Sequence, residues 1–166
     1  MVSSWSSPLP RLPIPGLAAL LAACTLTACE SSTPPPVEQR VKETFHLRTF
    51  EQGFGYAQAV KIGRTLYVSG TVPVDAAGRL VGAGDMSAQL RAVYRNLQET
   101  LAANGATFQN VVRENIFTTD MRGLLAVSDL RLEYYSRDLL PTGTWVQVQQ
   151  LVDPGFLVEI ELTAEL

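Results

Sequence analysis

The side chains able to do chemistry gather near the end of the chain. Over Leu157–Leu162 the residues alternate, with Leu157, Glu159 and Glu161 on one side and Val158, Ile160 and Leu162 on the other. An earlier run does the same, with Val146 and Val148 pointing one way and Trp145, Gln147 and Gln149 the other. Period-two alternation with one apolar face marks half-buried strands. Asp153-Pro154-Gly155 between the runs is a turn signal, so the two are expected to form a closing hairpin. Its polar side carries carboxylates and amides, groups that move protons and hold polar ligands, and any chemistry is to be sought there. Other chemistries have little to work with. The one histidine is His46, expected at the surface, and the two cysteines, Cys24 and Cys29, both precede the folded part. That part is left without a disulfide, a thiol nucleophile or a Cys/His metal cluster.

The elements that must hold this face can be read in chain order. Lys42–Phe50 reads as a first strand, and Glu51–Gly55 as a loop. Tyr56–Lys61 and Thr65–Ser69 flank Ile62-Gly63-Arg64 as a hairpin, with Val60, Ile62, Leu66 and Val68 inward and Gly70–Pro73 ending the strand. Asp85 or Ser87 caps a helix whose apolar side is Met86, Leu90, Val93, Tyr94, Leu97 and Leu101, and Asn104-Gly105 stops it. Asn110–Thr119 alternates, with Val112, Ile116 and Thr118 against Val111, Arg113, Asn115 and Phe117. Asp120–Gly123 is a turn, and Leu124, Val127, Leu130 and Tyr134 mark a second helix of matching length, ending near Arg137. Two helices over a sheet of about six strands make an α+β layer pair. Both helices can cover one sheet face, and the uncovered face predicts self-association.

Composition agrees with a globular domain. Of 166 residues, 46% are hydrophobic and 17% charged, and the net charge of −3 comes with no basic cluster to serve as a nucleic-acid footprint. The front of the chain differs. Met1–Arg11 is polar with one charge, and Leu17–Cys29 is apolar but shorter than the roughly 20 residues that span a bilayer. Together they read as a secretory signal. Leu21-Ala22-Ala23-Cys24 and Leu26-Thr27-Ala28-Cys29 both resemble the bacterial lipobox, and Cys29 is favoured because polar sequence follows it at once. The expected organisation is a lipoprotein signal over 1–28, a lipidated Ser/Pro-rich tether over 29–41 and a domain over 42–166. This would place the domain at the cell envelope on the periplasmic side, lipid-anchored to a membrane.

Tyr56-Ala57-Gln58-Ala59-Val60, Leu66–Pro73 with its Ser69-Gly70-x-x-Pro73, the helix with Asn96-Leu97, Val111–Phe117 and the final Val158-Glu159-Ile160-Glu161 together resemble the RidA (YjgF/YER057c/UK114) family. The similarity runs from about Phe45 to Leu166. It implies a chorismate-mutase-like fold and a homotrimer with a small-molecule cleft between each pair of subunits. The implied activity is hydrolysis of reactive enamines and imines, without metal or cofactor.

The resemblance also assigns residues. A glutamate that positions the attacking water falls on Glu159, and a tyrosine and a serine that assist fall on Tyr56 and Ser69. The arginine that binds the substrate carboxylate falls on Gly143, a cysteine two residues beyond it on Trp145, and a nearby asparagine on Ser128. No arginine lies beyond Arg137, so the scaffold is kept and the carboxylate clamp is lost. Arg113 and Asn115, on one strand face, are candidates to replace it. Plainer roles stand beside each assignment: Glu159 and Glu161 as surface charges, Tyr56 as packing, Ser69 as a strand end, Trp145 as interface filling. The rival function is a non-enzymatic ligand-binding module. RNA cleavage, ascribed to some relatives, fits poorly with the acidic balance and single histidine.

Overall fold

The computed structural model describes residues 41–166. The expected signal, both cysteines and nearly all of the tether lie outside the described residues. Six strands form one sheet: β1 (Lys42–Phe45), β2 (Ala59–Ile62), β3 (Thr65–Thr71), β4 (Val111–Thr118), β5 (Thr142–Gln147) and β6 (Val158–Glu165). Their spatial order is β1-β2-β3-β6-β4-β5, and all neighbours are antiparallel except β4 and β5. A single turn, α1 (Phe50–Gly53), follows β1, α2 (Met86–Ala103) joins β3 to β4, and α3 (Met121–Ala126) follows β4.

The long helix α2 forms where its apolar spacing places it. The Asp85 side chain accepts from the Ala88 N–H at its start, and Gly105 takes a positive φ just past its end. Its six expected inward residues are all buried, each worth about 1.5–3 kcal/mol of transfer free energy. They pack on Val158, Ile160, Leu162 and Ala164 of β6, the central strand.

Four expectations are corrected. First, the closing hairpin does not form. The Asp153–Phe156 turn is present, with Phe156 N–H donating to Asp153 O at 3.0 Å, but β4 lies between β5 and β6. The strand with the stronger apolar alternation, β6, takes the centre, and the Thr- and Gln-containing β5 takes an exposed edge, where few apolar groups are needed. Second, the second helix is broken. α3 has 6 residues against 18 in α2, and a 3-10 stretch, Ser128–Glu133, follows it. The Ser128 hydroxyl donates to Leu125 O at 2.9 Å, a local bond that competes with continued α-helix. Third, β2 presents its other side. Ala59 and Lys61 pair with Val68 and Leu66, so Val60 and Ile62 lie on the face away from the helices. Fourth, a register shift between Val111 and Arg113 turns Val112 out, 45% exposed, and leaves Glu114, Ile116 and Thr118 inward. Smaller adjustments follow: β1 ends at Phe45, β3 runs on through Thr71 across a bulge, and His46 is half-buried beside Glu51.

Candidate active site

Strand β6 sends Val158, Ile160 and Leu162 under the helices and Glu159 and Glu161 to the opposite face. The Glu159 carboxylate rests against Gly70, at the β3 bulge, where a Cβ would collide with it. Burial first, and then the negative charge of Glu161, raises its pKa above the ordinary carboxylate value. Tyr56 enters from the loop after α1, its N–H bonded to Glu51 O. The phenol pKa is raised by burial, then by Glu51, then by Glu159, so the two site side chains feel one another. Glu51 is itself buried and accepts the Leu47 and Arg48 N–H groups at 2.8 and 2.9 Å, which fixes the loop that delivers Tyr56. Ser69 stands one residue before Gly70. Its hydroxyl donates to Ala57 O at 2.7 Å, tying β3 to the segment behind Tyr56.

A groove of about 250 Å³ continues along the same sheet face, lined by Val60, Tyr67, Ser69, Arg113, Asn115 and Glu161 among others. Asn115 Nδ2 donates to Glu161 Oε1 at 2.7 Å, while Asn115 Oδ1 is buried without a partner. Arg113 and Asn115 therefore meet Ser69 and Glu161.

Gly143 and Trp145 are elsewhere. Their partners on β4 are Glu114 and Ile116, both fully buried, so they face the helix layer and not the Glu159 side. The expected grouping of Trp145 with the carboxylates is thus corrected: the parallel pairing of β5 with β4 sets its faces, not a hairpin with β6. Ser128 lies in the crossing from α3 to β5, half-buried.

Beside Gly143 sits a cluster that the alternation did not reveal. Glu114 is fully buried. Its Oε1 accepts the Tyr94 and Tyr135 hydroxyls at 2.8 and 3.1 Å, its Oε2 accepts the Arg131 Nε–H at 2.8 Å, and Arg131 Nη2 lies 2.5 Å from Oε2 as an ion pair. Desolvation works against the Arg131 charge, but Glu114 and Tyr94 together outweigh it and the guanidinium pKa ends above its ordinary value. Both phenol pKa values are pushed up, by burial and then by Glu114. The guanidinium carbon lies 5.3 Å from the ring centroids of both Tyr135 and Trp145. The available signal was a lone carboxylate, Glu114, two residues before the inward Ile116.

The profile of the Endoribonuclease L-PSP family matches residues 49–166. The chain belongs to this family. The structure is similar to that of a Mycobacterium tuberculosis member of the YjgF/YER057c/UK114 family, with a TM-score of 0.65 and 31% identity, covering 76% of this chain and 100% of the other. It is also similar to RidA of an Antarctic Psychrobacter, with a TM-score of 0.63 and 30% identity over 68% and 89% of the two chains. The mouse protein named 2-iminobutanoate/2-iminopropanoate deaminase is 37% identical over 110 residues, 66% of this chain and 79% of that protein. Among the described residues of this RidA-family domain, no cluster of three or more His, Cys, Asp or Glu could hold a metal ion, and no helix is long and apolar enough to cross a membrane.

Proposed function

We propose that the domain binds a small imine or enamine and hydrolyses it with a water directed by Glu159. One observation carries this reading: a half-buried carboxylate of raised pKa, seated on Gly70 beside Tyr56. A carboxylate whose pKa is moved up toward neutrality is a better proton acceptor while still ionised. Glu159 takes a proton from the attacking water as its oxygen bonds to the imine carbon. Glu159 passes that proton to the nitrogen, which gives a carbinolamine; it then takes the remaining hydroxyl proton and delivers it to the nitrogen as the C–N bond breaks, C=O forms and ammonia leaves. Relatives named for deamination of 2-iminobutanoate support the substrate class. The test is imine decay, followed with freshly generated 2-iminobutanoate. Glu159→Gln should slow it to the uncatalysed rate, and equal decay with wild type removes the catalytic role.

The working unit of this proposal is a homotrimer with a cleft between copies. Tyr67, Val112 and Val146 are 50%, 45% and 41% exposed, which leaves apolar area uncovered on the side away from the helices. Glu159 and the Gly143–Trp145 edge lie on opposite sheet faces, so one ligand can meet both only where two copies adjoin. A binding module without turnover is the second reading, favoured by Trp145, an aromatic wall beside the unfilled space at Gly143. RNA cleavage has less support, because a net charge of −3 offers a polyanion little attraction. A lipid anchor at Cys29 belongs to the proposal on sequence alone, and Cys29→Ser should release the protein from the membrane fraction.

A further inference from the structure

A 2-imino acid carries a carboxylate, and a site for it needs a directed cation or donor. The described arginines fall into distinct groups. Arg48, Arg79 and Arg91 spend their charge on Glu99, Asp75 and Glu133 in solvent-exposed pairs. Arg113 is on the groove face with Glu161. Arg131 differs from all of these, because its partner Glu114 is fully buried and its guanidinium lies against the Trp145 indole.

A guanidinium has two hydrogen-bonding edges, one formed by Nε and Nη2, the other by Nη1 and Nη2. Glu114 occupies the first edge of Arg131 through Oε2 alone, while Tyr94 and Tyr135 saturate Oε1. Nη1 is not among the atoms paired with Glu114, and the Arg131 side chain keeps 15% of its surface exposed. Trp145 links this edge to open space. One face of its indole carries Arg131, and its Nε1 lies 3.8 Å from where a Cβ on Gly143 would sit. Beyond residues 142–144 themselves, Glu114 O is the nearest atom to that point, at 3.7 Å, an ordinary contact distance. The missing side chain at 143 therefore leaves a gap edged by the indole that stacks on Arg131.

We propose that Arg131 receives the carboxylate of the ligand in this gap, with the Trp145 indole as its wall and Glu114 as the residue that positions the guanidinium. The ligand class rests on the imine-hydrolysis reading above. Since Arg131 and Glu114 together are neutral, recognition works through aimed N–H groups rather than net charge, and binding should depend only weakly on salt. A planar carboxylate next to a flat unsaturated carbon suits a site made of a guanidinium edge and an indole face.

The test is calorimetry on the full chain with 2-oxobutanoate, the stable hydrolysis product of 2-iminobutanoate, against butanone, which lacks the carboxylate. Wild type should bind the first and not the second. Glu114→Gln combined with Arg131→Gln removes the cation without stranding a buried acid. It should weaken binding about tenfold or more, the loss of a charge-assisted contact. If that double variant fails to fold, Arg131→Lys keeps a charge beside Glu114 but loses the fork, and should weaken binding in the same direction. Equal binding of the two probes, no binding of 2-oxobutanoate by wild type, or undiminished binding by a folded variant would each overturn the assignment. The two readings separate cleanly. Arg131-dependent binding without imine turnover removes the hydrolase and keeps Arg131. Turnover whose KM is the same in the double variant removes Arg131 and keeps the hydrolase.

Discussion

The Glu159 carboxylate lies directly over Gly70, in the space that a Cβ there would fill. Gly70 is not at positive φ, so its role is room and not backbone freedom. Gly70→Ala should fold, because the atoms it displaces belong to the end of a flexible side chain. The displaced acid would lose its place beside Tyr56. Imine decay should fall about a hundredfold, the usual penalty for moving a reacting group by roughly 1 Å, with little change in Tm. A full rate in Gly70→Ala would mean that the acid works from another position or not at all.

The raised pKa of Glu159 has a pH signature. Folded protein holds this proton to higher pH than unfolded chain, so stability falls as pH rises from the ordinary carboxylate value, 4.5, through the raised folded value. Glu159→Gln removes that loss. Urea unfolding should therefore find Glu159→Gln more stable than wild type above this window and converging with it below. Activity should run the other way, rising with pH as Glu159 ionises. Parallel stability curves for the two proteins across the window would count against a perturbed Glu159.

Tyr94 and Tyr135 both donate to one oxygen of Glu114. Tyr94→Phe leaves the ring stacked on Tyr134 but takes away one donor from a buried carboxylate. The expected cost is about 1–3 kcal/mol in urea unfolding. Arg131→Ala strands the acid altogether and should cost about 3–5 kcal/mol. A double-mutant cycle of these two changes should show coupling, since both act on Glu114. Additive losses would mean that the four side chains do not act as one network.

A shared cleft can be tested by mixing. Glu159→Gln and the Glu114→Gln/Arg131→Gln variant each damage every site when pure. Refolded together, they form mixed rings in which roughly a quarter of the interfaces pair two intact halves. Imine decay should then recover to about that fraction of wild type. Recovery no greater than the sum of the separate variants would place each site within a single copy.

Much of the local structure could be read directly. The Asp85 cap, the Met86-to-Leu101 stripe and the Asn104-Gly105 stop describe a helix whose burial depends on one face meeting a sheet. The Val158–Leu162 alternation likewise describes a strand covered on one side. Both signals are local, because period alone decides which residues share a face. Partners are not local. Val112 looked inward by parity until a one-residue shift reversed it, and the Asp153-Pro154-Gly155 turn joins two strands that another strand separates.

The chain's own pattern determined the α+β composition, the long helix and the acidic side of the last strand, since each follows from neighbours within a turn or a pleat. Tertiary structure alone decided that β4 stands between β5 and β6, that Gly143 and Trp145 face away from Glu159, and that Glu114, Arg131 and two tyrosines meet. Those outcomes depend on which strand takes the buried centre of the sheet, a competition among segments far apart in sequence that no single segment records.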